Sequence, residues 1–427
     1  TIWIVNGTQS IGSDTFSHCD QLINIHIGKS VTRMGNNTFR GCSALKNMTF
    51  DRHFHTFGDS AFRQCTNLET VTMMAPKVYL GPNLFTECSA LTTFTVPPQT
   101  THLPENTFYK CENLKKVILS PHLTSIDAGR FWGTDTLVTC DFTALTKLTA
   151  IGYNLFNFTA LTSLDLSHTK VESLYTMSNM IHVKTILLPV SLTSLCDGQF
   201  CNCRSLQSIT LPPQITCIPT ECFLRCSSLK TVNITTLKEN IELCAEAFRG
   251  CTVLHNVYFS SVDWPTIPVL HGHLVLPATV SLVGIRAFML CNAITHVSND
   301  SPLTTFACCS FMRMYGLVCV NMTTRMIFFN MFEECTALRT VHLSEKVEKL
   351  GFGAFSGCSS LLGNSKSISG ECRVKLFRQT VKEAGLTDVK VNVILLPIEG
   401  DPSAVNEYWS WAASTGGLVI SPAVNWP

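Results

Sequence analysis

One aromatic position, recurring at a nearly fixed interval, constrains this chain more than any other feature. Phenylalanine stands at Phe16, Phe39, Phe62, Phe85, Phe108, Phe131, Phe156, Phe200, Phe223, Phe248, Phe288, Phe311, Phe332 and Phe355, and Met177 takes the same place between Phe156 and Phe200. The first five steps are each 23 residues, and later steps run from 21 to 25 apart from one of 40. A unit this short cannot bury an apolar side alone, so successive units must stack and share one continuous core.

The rest of the unit is equally regular. Five residues before the phenylalanine stands an apolar residue, often followed by glycine, as in Ile11-Gly12, Met34-Gly35, Phe57-Gly58, Leu80-Gly81, Ile151-Gly152, Val283-Gly284 and Leu350-Gly351. Three residues after it comes Cys19, Cys42, Cys65, Cys88, Cys111, Cys203, Cys226, Cys251, Cys291, Cys335 or Cys358, and three further on usually leucine. The pattern then alternates, as in Val71-Thr72-Met73 and Ile209-Thr210-Leu211. Period two predicts a short strand with one buried face. Stacked coils at roughly 4.8 Å each predict a body on the order of 70 Å long.

The unit Ile-Gly-x-x-x-Phe-x-x-Cys-x-x-Leu-x-x-Ile-x-Leu-Pro, clearest around Ile218, Phe223, Cys226 and Leu229 and from Cys203 to Pro212, resembles the BspA-type leucine-rich repeat. The resemblance covers roughly residues 1–362. It implies a right-handed leucine-rich-repeat superhelix of about 15 coils, with parallel strands on the concave face and short turns, strands or helical turns on the convex face. Members are found among bacterial and parasitic-protist surface proteins and are associated with adhesion, so the resemblance implies a surface-exposed or secreted binding protein. The repeat itself is scaffold, and function has to be argued from the positions that vary on it.

By phase, the outward strand positions are Asn24, His26, Thr49, Thr70, Thr72, Thr93, Thr95, Lys116, Asp141, Asp165, Thr210, Asn256, Tyr258, His296 and His342. These form the expected partner-binding strip on the concave face. The strip is neutral and rich in hydroxyl groups, which suits a protein or glycan. Lys and Arg number 31 against 30 Asp and Glu, and charged residues make up 14% of the chain, well below the usual level of about 25%. Nothing in this balance draws the chain to nucleic acid.

Of the 21 cysteines, eleven occupy the ladder position beside the phenylalanines, where cysteine acts as a small hydrophobe. Ten lie off that phase: Cys140, Cys196, Cys201, Cys217, Cys222, Cys244, Cys308, Cys309, Cys319 and Cys372. Cys201, Cys203, Cys222 and Cys226 can be read as a zinc set, or Cys201 and Cys222 as a bridge. The spacing departs from a zinc knuckle and two of the four are core positions, so no metal and no cofactor is assigned.

The repeat is interrupted in three places. Coils between 137 and 183 are irregular, with Met177 and Met180 in place of Phe and Cys. The 40-residue step leaves about 17 residues beyond one coil, and prolines near Trp264 predict a projecting loop over 261–273 carrying Trp264, His271 and His273. Beyond 362 the phase stops. A helix is expected over Glu371–Ala384 and a strand through Val389, Val391, Val393 and Leu395. Residues 363–427 then form a C-terminal cap or the start of a following domain, with Tyr408, Trp409 and Trp411 packing on the last coil or stacking on carbohydrate.

At the other end the chain starts inside a coil, which implies that a cap, a signal segment or further repeats precede Thr1. Sequons stand at Asn6, Asn36, Asn47, Asn157, Asn233, Asn299 and Asn321 and give weak support to a secreted route. No apolar stretch is long enough to span a membrane. No phosphate loop, nucleophile elbow or carboxylate pair marks an enzyme, so no catalytic residue is assigned. The leading expectation is an adhesin-like binding protein at the cell surface or outside the cell. The alternatives are a cytoplasmic or cytoskeletal scaffold docking on a filament or large complex and, remotely, ice or crystal binding by the Thr70, Thr72, Thr93 and Thr95 ladder.

Overall fold

The computed structural model describes residues 1–127, 136–153, 155–156, 159–235, 240–259, 271–299 and 301–361, together with two short strands, Val393–Ile394 and Val419–Ile420. They form a solenoid of about 14 turns built from parallel strands. The coil of Phe131, the prolines near Trp264, the expected helix over Glu371–Ala384 and the aromatic tail lie outside the described residues. Val393–Ile394 falls within the expected C-terminal strand and pairs in parallel with Val419–Ile420.

Each turn contributes to three stacked ladders. The first holds the longer strands, in blocks such as Asn47–Phe50 beside Thr70–Met73 and the five-strand run Ser163–Asp165, Thr185–Leu187, Ser208–Leu211, Thr231–Ile234 and Asn256–Phe259. Partners are 23 residues apart in regular coils, as in Thr49↔Thr72 and Thr210↔Asn233. Alternation does the rest: Met48, Phe94, Val117, Ile209 and Val232 point inward and are buried.

The second ladder is made of shorter pieces, including Ser10–Ile11 with Arg33–Met34, and Cys217–Ile218 with Ile241–Leu243. It ends at the glycines noted above because successive backbones nearly touch there. A Cβ on Gly58 would lie 2.4 Å from the Gly35 carbonyl carbon, and one on Gly81 would lie 2.4 Å from the Gly58 oxygen.

The third ladder is a stack of turns and was not foreseen in this form. The residues two before and two after the phenylalanine are left-handed, for example Asn37 (φ 53°) with Gly41 (φ 72°) and Glu221 (φ 57°) with Arg225 (φ 58°). Side chains other than glycine are strained there by about 1–2 kcal/mol. The strain is offset by hydrogen bonds to the next turn: Asn37, Phe39 and Gly41 each donate a backbone N–H, at 2.8 Å, to the carbonyls of Asp59, Ala61 and Arg63.

Inside, the phenylalanines stack ring on ring. Phe16 to Phe108 form one run with centroids 5.2–6.0 Å apart, and Phe200 to Phe355 form another with centroids 5.1–5.6 Å apart. Between the runs, Phe156 meets Phe142 edge-on, and Met177 and Met180 are buried in the same core. The described irregular coils therefore keep their apolar filling, with Met177 in the place of a ring. The long-strand ladder is likewise interrupted between Thr139–Cys140 and Ser163–Asp165.

The cysteine ladder has a hydrogen-bonding role beyond packing. The Cys65 thiol donates to the Phe39 carbonyl at 3.1 Å, Cys88 to Phe62 at 3.0 Å and Cys226 to Phe200 at 3.1 Å, each reaching into the preceding turn. Burial raises these thiols well above the ordinary range, so they keep the proton they donate. Cys19, on the first coil, is exposed. Brief alkylation of native protein, read by peptide mass mapping, is expected to label Cys19 and spare Cys65, Cys88, Cys111 and Cys226 until denaturant is added.

The 40-residue step departs from expectation. Its last residues form a strand, His273–Leu276, which pairs with His296–Asn299 in the long-strand ladder. His273 is thus a strand residue, whereas the sequence placed it in a projecting loop. Meanwhile Phe248 stacks directly on Phe288 at 5.1 Å. The inserted chain adds a strand to one face while the spine steps once, because the strand's inward residues Leu274 and Leu276 find a place in the shared core.

The spine sets the stability expectation. Phe62 is fully buried between Phe39 and Phe85, so Phe62→Ala should lower the unfolding free energy by about 3–5 kcal/mol in urea titration. Thr95→Ala on the outer face should stay within about 0.5 kcal/mol.

Candidate functional site

The long-strand ladder presents two parallel rows of outward side chains, one on each side of the buried central residue. The first row runs through Asn24, Asn47, Thr70, Thr93, Lys116, Thr139, Ser163, Thr185, Ser208 and Thr231, and the second through His26, Thr49, Thr72, Thr95, Ile118, Asp141, Asp165, Leu187, Thr210 and Asn233. Within each paired block, backbone pairing fixes the spacing between turns, so the surface there needs little ordering to meet a ligand.

Most of the residues expected on this strip are there. Asn24, His26, Thr49, Thr70, Thr72, Thr93, Thr95, Lys116, Asp141, Thr210 and His342 are exposed, and Asp165, Tyr258 and His296 are half-buried. Asn256 is the correction: it is 3% exposed, in the strand Asn256–Phe259. It offers a ligand little surface.

The two acids are less free than the sequence implied. Asp141 accepts hydrogen bonds from the Thr143 backbone and hydroxyl at 2.9 and 2.7 Å, which hold its carboxyl below the usual range. Asp165 accepts hydrogen bonds from the Ser167 backbone N–H and hydroxyl at 2.9 and 2.6 Å. Both carboxylates shape the corner that follows their strand.

Two aromatic features stand out. Trp3 is 70% exposed and lies flat on His26, with ring centroids 3.8 Å apart and an interplanar angle of 16°. The sequence reading passed over Trp3, although its register partner His26 lies 23 residues on and the repeat phase already placed it. Farther along, His273 stacks on His296 at 4.0 Å. Burial and the His296 charge hold His273 below the ordinary imidazole range. His271 is exposed, with its ring 5.3 Å from that of His255. One histidine assigned to the loop, His273, therefore meets one assigned to the strip, His296, while His271 lies beside His255 and Trp264 lies outside the described residues.

The sequons differ in their surroundings. Asn299 is buried, and its side-chain nitrogen donates to the carbonyls of Ser301 and Thr323 at 2.7 and 2.8 Å. A glycan on that nitrogen is incompatible with this geometry. Asn6 and Asn36 are exposed, but their side-chain oxygens accept the Lys29 and Asp59 backbone N–H groups of the next turn. Asn47 and Asn233 hydrogen-bond Thr70 and Thr210 across the strip. Asn321 is exposed, and Asn157 lies outside the described residues.

The cysteine quartet considered for zinc does not assemble as a ligand set. Cys203 and Cys226 are fully buried, and their thiols donate to the Met177 and Phe200 carbonyls. No helix among the described residues is long and apolar enough to cross a membrane.

Comparison with known proteins gives a consistent family and distant structural likenesses. Among solved structures, a leucine-rich repeat protein from Bacteroides ovatus is similar at 19% identity and a TM-score of 0.44, over 77% of this chain and 69% of that one. A leucine rich cell surface protein from Faecalibacterium prausnitzii is similar at 21% identity and a TM-score of 0.30, over 61% of this chain and 88% of that one. The pneumococcal vaccine antigen PcpA is similar at 11% identity and a TM-score of 0.25, over 99% of this chain and 79% of that one. No curated protein matches. The BspA type leucine rich repeat region matches in six copies over residues 1–103, 78–178, 149–263 and 271–373, so the chain belongs to the BspA-type leucine-rich-repeat family.

Proposed function

We propose that the protein is a non-enzymatic binding protein, adhesin-like, that holds a protein or glycan partner against its long-strand ladder at the cell surface or outside the cell. The observation that carries this reading is the ladder itself: two registered rows of exposed hydroxyl, amide and imidazole groups on a backbone already fixed by parallel pairing. The stacked Trp3 and His26 rings add an exposed flat aromatic surface at one end, of the kind that anchors protein and sugar ligands. The family resemblance supports the location, and the near-zero net charge is at odds with a polyanion as partner.

A second reading has one observation in its favour. Cys19 is an exposed free thiol, and Cys196, Cys201, Cys217, Cys244, Cys308, Cys309 and Cys319 are half-buried free thiols. Such a set suits a reducing interior, and with it a scaffold docking inside the cell.

Two measurements test these readings. Limited proteolysis of intact cells that express the protein natively should remove it. Complete protection until lysis would reject the surface reading in favour of the interior one. Purified chain should bind a subset of an array of glycans and extracellular-matrix proteins. Trp3→Ala with His26→Ala, and separately His342→Ala, should weaken the retained interaction about tenfold or more with an unchanged thermal midpoint. Arg33→Ala on the second ladder should leave it intact. Equal binding by all variants would move the partner site off the long-strand face.

A further inference from the structure

We propose that Cys217, Glu242 and Cys244 form a binding site for a thiophilic divalent cation of the zinc class on the second strand ladder. Strands Cys217–Ile218 and Ile241–Leu243 pair in parallel, with Cys217 opposite Glu242 and Ile218 opposite Leu243. Ile218 and Leu243 are fully buried, so alternation turns Cys217 and Glu242 to the outer side. Cys244 follows directly, anchored by its N–H to the Ile218 carbonyl at 2.9 Å.

The three side chains converge. The Cys217 and Cys244 sulfurs are 3.5 Å apart, and both sulfurs and a Glu242 oxygen lie within 4.8 Å of one another. A disulfide requires about 2.05 Å between sulfurs. Two thiolates on one tetrahedral zinc, each at about 2.3 Å, sit about 3.8 Å apart. The observed separation thus needs only a few tenths of an ångström of opening to admit the ion. Cys244 is held from the other side as well: Gly284 of the next turn packs so closely that a Cβ there would lie 2.5 Å from the Cys244 carbonyl carbon.

The contrast with the ladder cysteines is what singles out this pair. Each ladder thiol from Cys42 onward gives its proton to a backbone carbonyl of the preceding turn, as Cys42 does to Phe16 and Cys251 to Phe223. Cys217 and Cys244 have each other as sulfur partners. The charged groups that act on Cys217 are Glu242 and Asp197, both acidic, so thiols and carboxylates gather here. On binding, the ion displaces two thiol protons to solvent, takes the Glu242 carboxylate as third ligand and leaves a fourth position for water or an exogenous donor. No electrons are transferred. Because protons leave, binding strengthens as pH rises.

The test uses the full chain, fully reduced with a phosphine under anaerobic conditions and titrated with cobalt(II) as a spectroscopic probe. One equivalent should produce thiolate-to-cobalt charge transfer in the near ultraviolet and the visible bands of a tetrahedral ion, both abolished by excess zinc. C217S and C244S should each remove the charge-transfer band. The exposed-site variant E242Q, which does not threaten folding, should keep the band but bind more weakly by at least the roughly tenfold cost of losing an outer-shell partner. C308S should change nothing. The proposal is overturned if no band forms, if the band survives in the C217S/C244S double variant, or if mapping of the protein as isolated, before reduction, returns Cys217 and Cys244 as a disulfide.

Discussion

The structure depends on one doubly used acceptor, the carbonyl of the spine phenylalanine. In each regular turn it receives the N–H of the cysteine three residues on, as Phe39 does from Cys42 at 3.1 Å, and the thiol of the cysteine one turn later, as Phe39 does from Cys65 at 3.1 Å. One bond closes the turn and the other ties it to the next. A buried carbonyl left without partners costs about 1–3 kcal/mol. The pairing therefore explains why a cysteine, and not merely a small apolar residue, recurs beside eleven of the fourteen rings. Alanine would fill part of the space and leave the second lone pair unmet.

Around that spine the three ladders divide the work. Stacked turns absorb left-handed residues and return the strain as hydrogen bonds between coils. The short-strand ladder brings backbones so close that glycine is required at Gly58 and its equivalents. The long-strand ladder carries none of these burdens. Its outward positions vary freely, from the threonines near the start to Ile118, Leu187 and His342, and for that reason it is where a partner's identity can be written.

The candidate sites follow from the same division. Strand pairing places Trp3 on His26 and His273 on His296, neither of which is a sequence neighbour of its partner. Cys217 and Cys244 meet on the short-strand face, where successive turns bring residues 27 apart within reach of one ion. The zinc set read from C-x-C and C-x-x-x-C spacing fails because Cys203, Cys222 and Cys226 are buried in the core, where the Cys203 and Cys226 thiols donate to backbone carbonyls.

The sequence by itself determined the solenoid, the ring spine, the buried cysteine ladder and most of the exposed strip, because a repeat writes its core at every period and the reader needs only the phase. Trp3 was within that reach as well, one period ahead of His26. Tertiary structure alone decided the left-handed turns, since Glu221 and Arg225 are poor signals for them and adopt them because the next coil's carbonyls wait there. It also decided that the inserted chain ends as a strand at His273–Leu276, which pairs His273 with His296, and that Asn256 is buried. Such outcomes depend on which neighbour a segment finds across the stack. That information lies between coils and not within one.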